Sequence, residues 1–358
     1  MTSSDDRVRV AVIGASGYTG AELLRILLGH PRVTIAMVMA RRAAGQRIDA
    51  VFPHLTGRLA LPVEVFDADA VAAGAEVAFC ALPHGESALV VAALRARGVT
   101  TLDLSADFRL HDAATWSQWY GSAEHAHHPA AELLAGAVYG LPERHRARLR
   151  GAELIAVPGC YPTATTLAIA PLLDAGLVRA TGLVVDGKSG ASGVGRTPGL
   201  STHLPESAEG IRAYKVGGTH RHTPEMEQEL SLAANAPVRL LFTPHLVPMS
   251  RGILACVYAE PTDPSRPAAA YRDALVAAYR DEPFVDVLAP GLTPDTAFVR
   301  GSNRCHVTAV YDPRAQRVLA LSAIDNLVKG AAGQAVQCLN VARGWPETMG
   351  LDTVALFP

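Results

Sequence analysis

The chain has 358 residues, of which 49% are hydrophobic and 18% charged, and its formal net charge is −2. These values are typical of a globular chain of roughly two domains, and they argue against a nucleic-acid or anionic membrane partner. The five cysteines include no C-x-x-C pair, which argues against a disulfide framework or a zinc ribbon and favours a reducing cytoplasm. The polar, acidic residues 1–6 are unlike a secretory signal.

The first part of the chain alternates predicted strands with predicted helices. Strands are expected over 7–13, 33–39, 76–81 and 100–104, and helices over about 19–28 and 87–97. Strands that alternate with helices in this way indicate a parallel, doubly wound sheet. Residues 111–150 are less regular and are expected to form loops and short helices.

Beyond residue 158 the pattern changes. A helix is predicted over 163–175, opened by Tyr161-Pro162 because proline is favoured at the first helical position, and stopped by Gly176. Strand-like runs then dominate, and a strong helical pattern follows the last of them. The strands are expected at 183–185, 238–248, 252–259 and 304–311, and the helices at about 223–234, 266–279 and 327–342. The expected fold class is α/β: a Rossmann-type doubly wound parallel sheet plus a second α+β domain with a mixed or antiparallel sheet.

A glycine-rich turn, Gly14-Ala-Ser-Gly17-Tyr-Thr-Gly20, joins the first strand to the first helix. A dinucleotide fold needs glycines at this place so that the backbone can turn sharply and approach the pyrophosphate at the helix N-terminus. The spacing is G-x-x-G-x-x-G, and a bare glycine motif is weak evidence, but its position after a strand and before a helix is the required one. The alternative is a structural turn. The predicted cofactor contacts are Gly14, Ser16, Gly17, Tyr18, Thr19 and Gly20.

The end of the second predicted strand selects between the two nicotinamide dinucleotides. NAD-binding proteins usually place an acidic residue there for the ribose hydroxyls. This chain instead has Arg41 and Arg42, with no carboxylate before Asp49. Because arginine binds phosphate bidentately, the pair favours NADP; the alternative is two ordinary surface charges.

Three further segments are candidates for ligand contact, and the first two follow strands at the carboxyl edge of the first sheet, where ligands of open α/β folds bind. Pro83 follows the strand at 76–81 and is expected to form a backbone wall for the nicotinamide. Arg109 could bind a phosphate or carboxylate, or could form an ion pair with Asp103 or Asp107. The Gly/Ser-rich loop 188–196, with Ser189, Gly190 and Arg196, is expected to contact an anion or the cofactor; the alternative is a flexible linker.

Cys160 lies in the sequence Pro-Gly-Cys-Tyr-Pro-Thr-Ala at 158–164, at the start of a predicted helix. Unpaired backbone N–H groups and the helix dipole stabilise a thiolate at such a position, so Cys160 is a candidate nucleophile; the alternative is a small buried residue. His220 and His222 crowd the start of another predicted helix, and one of them could pair with the thiol. The histidines at 125, 127 and 128 lack ligand-like spacing, so no metal is expected.

These segments together resemble the N-acetyl-γ-glutamyl-phosphate reductase family, in the superfamily that includes aspartate-semialdehyde dehydrogenase. The resemblance runs almost end to end, and PGCYPTA and HRHTPE are its most specific motifs. The matching segments are GASGYTG at 14–20, ALPHG at 81–85, SADFR at 105–109, YGLPE at 139–143, PGCYPTA at 158–164, HRHTPE at 220–225, PMSRG at 248–252 and IDNLVKG at 324–330.

The resemblance implies an NADPH-dependent reduction of an acyl phosphate, N-acetyl-L-glutamyl 5-phosphate, in arginine biosynthesis. It implies that Cys160 carries the acyl group as a thioester and that His220 is the general acid/base, with His222 as the alternative and a candidate substrate contact. It further assigns Arg109 to the substrate anion and Asn326 to the cofactor; Arg196 is a candidate for the substrate. The rival readings are a reductase of aspartyl or aminoadipyl phosphate, a cysteine hydrolase and an NADP-binding sensor without catalysis.

The resemblance also implies a domain plan and an assembly. The NADP-binding domain is expected over 1–160 with about 325–358, where the last helix returns to it, and the catalytic and dimerisation domain over about 161–324. A cytoplasmic homo-oligomer, a dimer or tetramer, is expected. The expected partners are a small-molecule substrate and NADP(H), with no nucleic acid, no membrane and no metal.

Overall fold

The structure, a computed structural model, describes residues 7–200 and 203–358. The prediction about residues 1–6 therefore lies outside the described residues. The chain divides into two compact units. The first runs through Pro158 and includes Ala331–Asp352, and the second comprises Gly159–Gly330 with Thr353–Pro358. Residues 325–330 and 353–358, which the sequence placed with the first domain, thus group with the second unit. The roles assigned to the two domains stay predictions.

The first unit is built on a seven-stranded parallel sheet. Its strands are β1 (Val8–Ile13), β2 (Val33–Met39), β3 (Val63–Glu64), β4 (Val77–Cys80), β5 (Thr100–Asp103), β6 (Val138–Tyr139) and β7 (Leu154–Ala156). Their order is β3-β2-β1-β4-β5-β7-β6, and every pairing is parallel. All four residues of β4 and the last four residues of β1 are buried, as expected for strands that are covered on both faces.

The helices of this unit follow the strands, as predicted. They are α1 (Tyr18–Leu27), α2 (Ile48–Val51), α3 (Ala68–Gly74), α4 (Glu86–Arg95), α5 (Ala113–Tyr120) and α6 (Pro142–Leu149). The strand order, which reverses direction beside β1, confirms the predicted Rossmann-type doubly wound sheet. In such a sheet the carboxyl ends of β1 and β4 form the edge at which ligands bind.

The second unit carries a mixed seven-stranded sheet, which confirms the predicted class of the second domain. Its strands are β8 (Leu183–Ser189), β9 (Arg212–Ala213), β10 (Leu240–Leu246), β11 (Ile253–Ala259), β12 (Val285–Val287), β13 (Cys305–Asp312) and β14 (Arg317–Ile324). The order is β12-β13-β14-β11-β8-β10-β9. The β12–β13 and β8–β10 pairs are parallel, and the other pairs are antiparallel.

The remaining helices are α7 (Cys160–Asp174), α8 (Leu204–Ser207), α9 (Thr223–Ala234), α10 (Ala269–Tyr279) and α11 (Gly333–Ala342). A π-helical turn, Val328–Ala332, precedes α11, which belongs to the first unit. Among the described residues, no helix combines the length and the apolarity needed to cross a membrane.

Helices cover one face of the second sheet, whereas the other face is more exposed. Burial alternates along β8, β10 and β11, so that residues such as Val185 and Phe242 are buried while Val184 and Leu254 stay half-buried. Helix α7 packs against β11, β13 and β14, and α10 packs against β12 and β13. On the other face Leu241 keeps 54% of its surface exposed. This open face carries apolar side chains and also the ion pair of Asp186 and Lys188.

Helix α7 tolerates two prolines for different reasons. It begins at Cys160, so the prediction that Pro162 takes the first helical position is wrong; Pro162 still lies in the first turn, where N–H groups have no intrahelical acceptor. Pro171 lies inside the helix and cannot donate to the carbonyl of Leu167, four residues earlier. The hydroxyl of Tyr279 in α10 donates to that carbonyl instead, at 2.7 Å. The tertiary contact supplies the hydrogen bond that the sequence removes.

Candidate active site

The glycine turn after β1 is a place of close backbone approach. Gly14 has φ +83°, and a Cβ there would lie 2.2 Å from the carbonyl oxygen of Ala81. A Cβ on Gly20 would lie 2.7 Å from the backbone of Ala15. Gly17 then precedes the first residue of α1, whose first turn contains no acidic residue. The turn therefore brings bare backbone to a positively polarised helix end, which suits the pyrophosphate of a dinucleotide.

The other predicted contacts of the first unit lie at the same strand ends. Ser16 and Thr19 are half-buried, and Tyr18 is 40% exposed. Arg41 and Arg42 form an exposed turn directly after β2, which pairs with β1. The sheet therefore brings the arginine pair and the glycine turn to neighbouring strand ends.

Pro83 is exposed just beyond the end of β4. The residue before α4, Gly85, has φ +84° and donates its N–H to Asp107 Oδ1 at 2.8 Å. The same carboxylate accepts from Ala88 N at 2.8 Å, so that Asp107 holds the start of α4. Burial is the main cause that raises the Asp107 pKa, and these two N–H donors oppose it. The Asp107 carboxylate therefore holds in place the end of the loop that carries Pro83.

Arg109 is 8% exposed and is held by backbone oxygens. Its Nε donates to the carbonyl of Val157 at 2.7 Å, and its Nη2 donates to that of Leu104 at 2.8 Å. These bonds tie the guanidinium to the segments that follow β5 and β7. They also fix the residue just before the turn that leads to Cys160.

Cys160 is the first residue of α7, a helix of 15 residues, and its side chain is half-buried. Gly159, in an extended conformation, caps the helix. A Cβ on Gly330 would lie 2.7 Å from the Cβ of Cys160, so only glycine fits beside the thiol at that point. The sulfur is therefore placed where the N-terminal N–H groups and the helix dipole favour a thiolate.

The histidine turn packs directly on the turn that carries the thiol. His222 precedes the first residue of α9, and a Cβ on Gly159 would lie only 2.6 Å from His222 Nε2. Glu225, in the first turn of α9, is fully buried and accepts the N–H of Gly159 at 2.8 Å. The start of α9 therefore holds the residue before Cys160 through both a ring contact and a hydrogen bond.

His220 is enclosed by aromatic rings. Its ring centroid lies 5.6 Å from that of Tyr161, 5.1 Å from Phe242, 5.6 Å from Tyr214 and 4.9 Å from His222. Its Nδ1 accepts the backbone N–H of His222 at 3.1 Å. The structure therefore brings Cys160, His220 and His222 into one neighbourhood of the second unit.

The surroundings oppose a positive charge on His220. Burial, and then the positive charges of Lys215 and Arg221, lower its pKa to about 4. Burial also raises the pKa of the Tyr161 hydroxyl, and it raises that of Tyr214 to about 12. At neutral pH the enclosed imidazole and both phenols are therefore uncharged.

A second hydrogen-bonded loop of this unit contains the other predicted cofactor residues. Asn326, after β14, accepts from the N–H of Gly252 at 2.7 Å and donates to Ser192 Oγ at 2.9 Å. Ser189 is the buried last residue of β8, so the loop predicted over 188–196 begins two residues later, at Gly190. A Cβ on Gly190 would lie 2.8 Å from the carbonyl oxygen of Met249.

The sequence analysis missed four contributors to this site: Tyr161, Tyr214, Glu225 and Gly330. Glu225 and Tyr161 lie inside the motifs at 220–225 and 158–164, which was the available signal. Tyr214 and Gly330 are distant in sequence from Cys160, and nothing local marks them. Arg196, which the sequence singled out, lies exposed in the described part of the loop after β8.

Family models match most of the chain. Residues 9–152 match the "Semialdehyde dehydrogenase, NAD binding domain", and residues 160–326 match the "Semialdehyde dehydrogenase, dimerisation domain". Among solved structures, aspartate semialdehyde dehydrogenase II of Vibrio cholerae, complexed with ASA, aligns with a TM-score of 0.70 at 17% identity, over 94% of this chain and 98% of that one. The Candida albicans aspartate semialdehyde dehydrogenase with NADP aligns with a TM-score of 0.69 at 13% identity and the same coverage.

The fold and the two family models define an oxidoreductase of the semialdehyde dehydrogenase class with a nicotinamide-dinucleotide-binding domain. The N-acetyl-gamma-glutamyl-phosphate reductase of Citrifermentans bemidjiense is 49% identical to this chain over 98% of it and 100% of the relative. The protein of that name from Rhodospirillum rubrum is 50% identical over 99% of both chains. The chain belongs to the N-acetyl-gamma-glutamyl-phosphate reductase family.

Proposed function

We propose that this enzyme uses NADPH to reduce N-acetyl-L-glutamyl 5-phosphate to N-acetyl-L-glutamate 5-semialdehyde and phosphate, as a step of arginine biosynthesis. Full-length relatives at 48–50% identity that carry the reductase name support the substrate. The observation that carries the chemistry is the position of Cys160 as the first residue of α7, with Gly330 against its Cβ and with His222 packed on the preceding Gly159. A thiol there is suited to accept an acyl group as a thioester.

In this proposal the Cys160 thiolate attacks the acyl carbon, and the bond from that carbon to the phosphate oxygen breaks. The N-terminus of α7 stabilises the thiolate before the attack. Arg109 and Arg196 are the side chains proposed to bind the anionic groups of the substrate, and His222 is proposed to contact the bound acyl group. His220 is the partner proposed for the acyl oxygen.

The dinucleotide site is proposed in the first unit. Its fit is supported by Gly14 and Gly20, whose backbones leave no room for a Cβ, and by the uncapped start of α1. Bound NADPH supplies the hydride that reduces the thioester. Gly14, Ser16, Gly17, Tyr18, Thr19, Gly20 and Pro83 are the contacts proposed there. Ser189, Gly190 and Asn326 stay predictions of further cofactor contacts.

Anaerobic trapping tests the covalent step. Mixed with acyl phosphate without NADPH, the wild-type enzyme is expected to gain the mass of one N-acetylglutamyl group, and peptide mapping should place it on Cys160. Cys160→Ser should gain no such group and should lose nearly all turnover, because a serine hydroxyl has no comparable tendency to ionise at neutral pH. Full activity in Cys160→Ser would refute the thioester.

The substrate is tested by running the phosphate-dependent reverse reaction on three semialdehydes in parallel. We expect N-acetylglutamate semialdehyde to be oxidised with a far higher kcat/KM than aspartate or aminoadipate semialdehyde. A preference for either of the other two would replace the proposed substrate while leaving the enzyme class intact.

The arginine pair after β2 is proposed to select NADP. Replacing Arg41 and Arg42 by serine should raise the KM for NADPH and leave the KM for NADH unchanged, because only NADPH carries the 2′-phosphate. The matched control is the serine double variant of Arg148 and Arg150, two exposed arginines of the same unit, which should change neither value. Equal KM changes for both dinucleotides would contradict the assignment.

We also propose a homo-oligomer, a dimer or tetramer, in the reducing cytoplasm. The dimerisation-domain model that matches residues 160–326 supports self-association through the second unit. The five cysteines form no disulfide, in keeping with a reducing compartment.

A further inference from the structure

Helix α4 begins beside a residue that cannot cap it. Gly85, just before the helix, has φ +84°, a conformation that other residues rarely adopt, and a Cβ there would lie 2.7 Å from the ring of His125. Glycine is therefore required at this position, yet it offers no side-chain oxygen to the N–H groups of the first helical turn. Those groups need an acceptor from elsewhere in the chain.

Asp107, 22 residues further along the chain, supplies that acceptor. Its Oδ1 accepts the N–H of Gly85 at 2.8 Å, and its Oδ2 accepts the N–H of Ala88, the third residue of α4, at 2.8 Å. A capping box satisfies these same two N–H groups from within its own helix. Here the cap of α4 comes instead from the segment that follows β5.

A second buried carboxylate extends this connection. Asp103, the last residue of β5, accepts the hydroxyl of Ser87 in α4 at 2.6 Å and the hydroxyl of Ser105 at 2.6 Å. The Ser105 oxygen in turn accepts the backbone N–H of Asp107 at 3.0 Å. One hydrogen-bonded chain therefore ties the first turn of α4 to the end of β5.

Placing two carboxylates here has a cost in stability. Both side chains are fully buried. Burial raises the pKa of each, and the negative charge of Asp107 raises the pKa of Asp103 further, to about 6. A neutral acceptor, such as a backbone carbonyl, would hold the helix start without this cost. The role of the pair is therefore in what it positions.

The network holds the loop that carries Pro83, a proposed contact of the nicotinamide dinucleotide. The N–H of Ser87 donates to the carbonyl of Pro83 at 3.1 Å, so the loop is bonded directly to the anchored helical turn. Arg109, by contrast, is held by two backbone carbonyls outside this network. A change in the Asp107 carboxylate should therefore displace the loop and leave the proposed anion site in place.

We propose that Asp107, supported by Asp103, is a positioning residue for hydride transfer, which sets the place of the Pro83 loop against the nicotinamide ring. This proposal rests on the thioester route and the dinucleotide site of the proposed function. In the step concerned, a hydride passes from NADPH to the thioester carbon and the C–S bond breaks with its electron pair on sulfur. The aldehyde, the thiolate and NADP⁺ result.

Asp107→Asn is the main variant, because an amide cannot replace this carboxylate. The nitrogen of Gly85 lies 2.8 Å from Oδ1 and 2.9 Å from Oδ2, and that of Ala88 lies 2.8 Å from Oδ2. Whichever oxygen becomes the NH₂ group, that group faces at least one backbone N–H donor. The start of α4 must then shift, although the side chain keeps its size.

The measurements separate the two chemical steps in the full-length enzyme. Phosphate released on mixing with acyl phosphate alone reports acylation of Cys160, and the loss of NADPH absorbance after NADPH is added to acylated enzyme reports hydride transfer. We expect Asp107→Asn to keep a wild-type phosphate burst. Its hydride step should slow on the order of 10²-fold, as for a displacement of about 1 Å at reacting groups. Its KM for NADPH should change far less than kcat, because the glycine turn is untouched.

The matched control is Asp67→Asn, a change of the same kind in the same unit. Asp67 caps α3 by accepting from the N–H groups of Asp69 at 2.9 Å and Ala70 at 3.2 Å. Asparagine serves equally well at such a position, so both steps should keep wild-type rates. A wild-type hydride step in Asp107→Asn, or equal slowing of its burst and its hydride step, would overturn the proposal.

Ser87→Ala decides the question if Asp107→Asn does not fold and so gives no phosphate burst. This variant removes only the hydroxyl that Asp103 accepts, and it should slow the hydride step by a smaller factor while keeping a full burst. An unchanged hydride step in Ser87→Ala would then refute the positioning role. If wild-type enzyme gives no burst, the thioester route itself fails; if it gives a burst but oxidises no NADPH, the dinucleotide site fails.

Discussion

At the scale of single residues, Gly159 shows how one missing methyl group shapes the site. Its N–H is bound by Glu225, and its Cα faces the ring of His222. The φ of Gly159 is −68°, which any residue can adopt, so the need for glycine comes from its neighbour and not from the backbone. The position next to Cys160 is therefore sensitive to even the smallest side chain.

Gly159→Ala is expected to lower kcat strongly with little change in dinucleotide affinity. The new Cβ would lie 2.6 Å from His222 Nε2, so that the ring or the Cys160 turn must shift. Displacements of about 1 Å at reacting groups cost on the order of 10²-fold in rate. Steady-state kinetics with both substrates measure the effect.

The control for this variant is Gly136→Ala, where a Cβ would meet nothing within 4 Å and φ is not positive. We expect it to leave kcat unchanged. A Gly159→Ala enzyme as active as Gly136→Ala would show that the tight contact has no bearing on turnover.

At the scale of elements, α7 depends on α10 for its integrity. Pro171 leaves the carbonyl of Leu167 without its helical N–H, and the Tyr279 hydroxyl takes that place. Helix α7 also positions Cys160, so this contact links the stability of the second unit to the helix that carries the thiol.

Tyr279→Phe is expected to reduce the free energy of unfolding by about 1–3 kcal/mol, because it leaves a buried carbonyl unsatisfied. Tyr271→Phe, on the same helix, is the matched control: among the described residues its buried hydroxyl has no hydrogen-bond partner. That variant should be neutral or slightly stabilising. Urea unfolding of both variants makes the comparison, and equal losses would refute the special role of Tyr279.

At the scale of the whole molecule, the open face of the second sheet is our candidate surface for the self-association proposed above. Val184, Leu241 and Leu254 lie on this face, and Leu241 is 54% exposed. The same face also carries Asp186 and Lys188, which form an ion pair. Burial of the apolar side chains against a second copy would remove their area from water, which is a common basis of stable dimers. The match of this unit to a dimerisation-domain model agrees with such a role.

Leu241→Asp is expected to weaken the assembly, because it places a charge on the face that would be buried. Light scattering after size exclusion should show the mass moving toward that of the 37.6 kDa chain. Leu89→Asp, at a site of 53% exposure on α4 in the other unit, should leave the mass unchanged. An unchanged mass for Leu241→Asp would move the interface to another surface.

Local sequence signals were sufficient for most of the elements. The strand at Val33–Met39 and the helix at Thr223–Ala234 have the bounds that their patterns predict. β8 is longer than expected: the pattern predicts a strand over 183–185, but the strand continues through Gly187 and Lys188 to Ser189. Hydrogen bonding to strands on both sides keeps Gly187 and Lys188 extended. The need for glycine at position 187 also comes from a residue distant in sequence, because a Cβ on Gly187 would lie 2.5 Å from the ring of Tyr161.

By itself the sequence determined the fold class, the glycine turn and the place of Cys160 at a helix start, because periodicity, turn residues and helix ends depend on neighbours a few positions apart. Tertiary structure alone decided that His220 is enclosed, that Gly159 admits no side chain, and that Tyr279 completes α7. Each of these depends on atoms brought together from distant parts of the chain. Burial, desolvation and close packing at these positions result from contacts between residues that are distant in sequence, so a local sequence pattern cannot predict them.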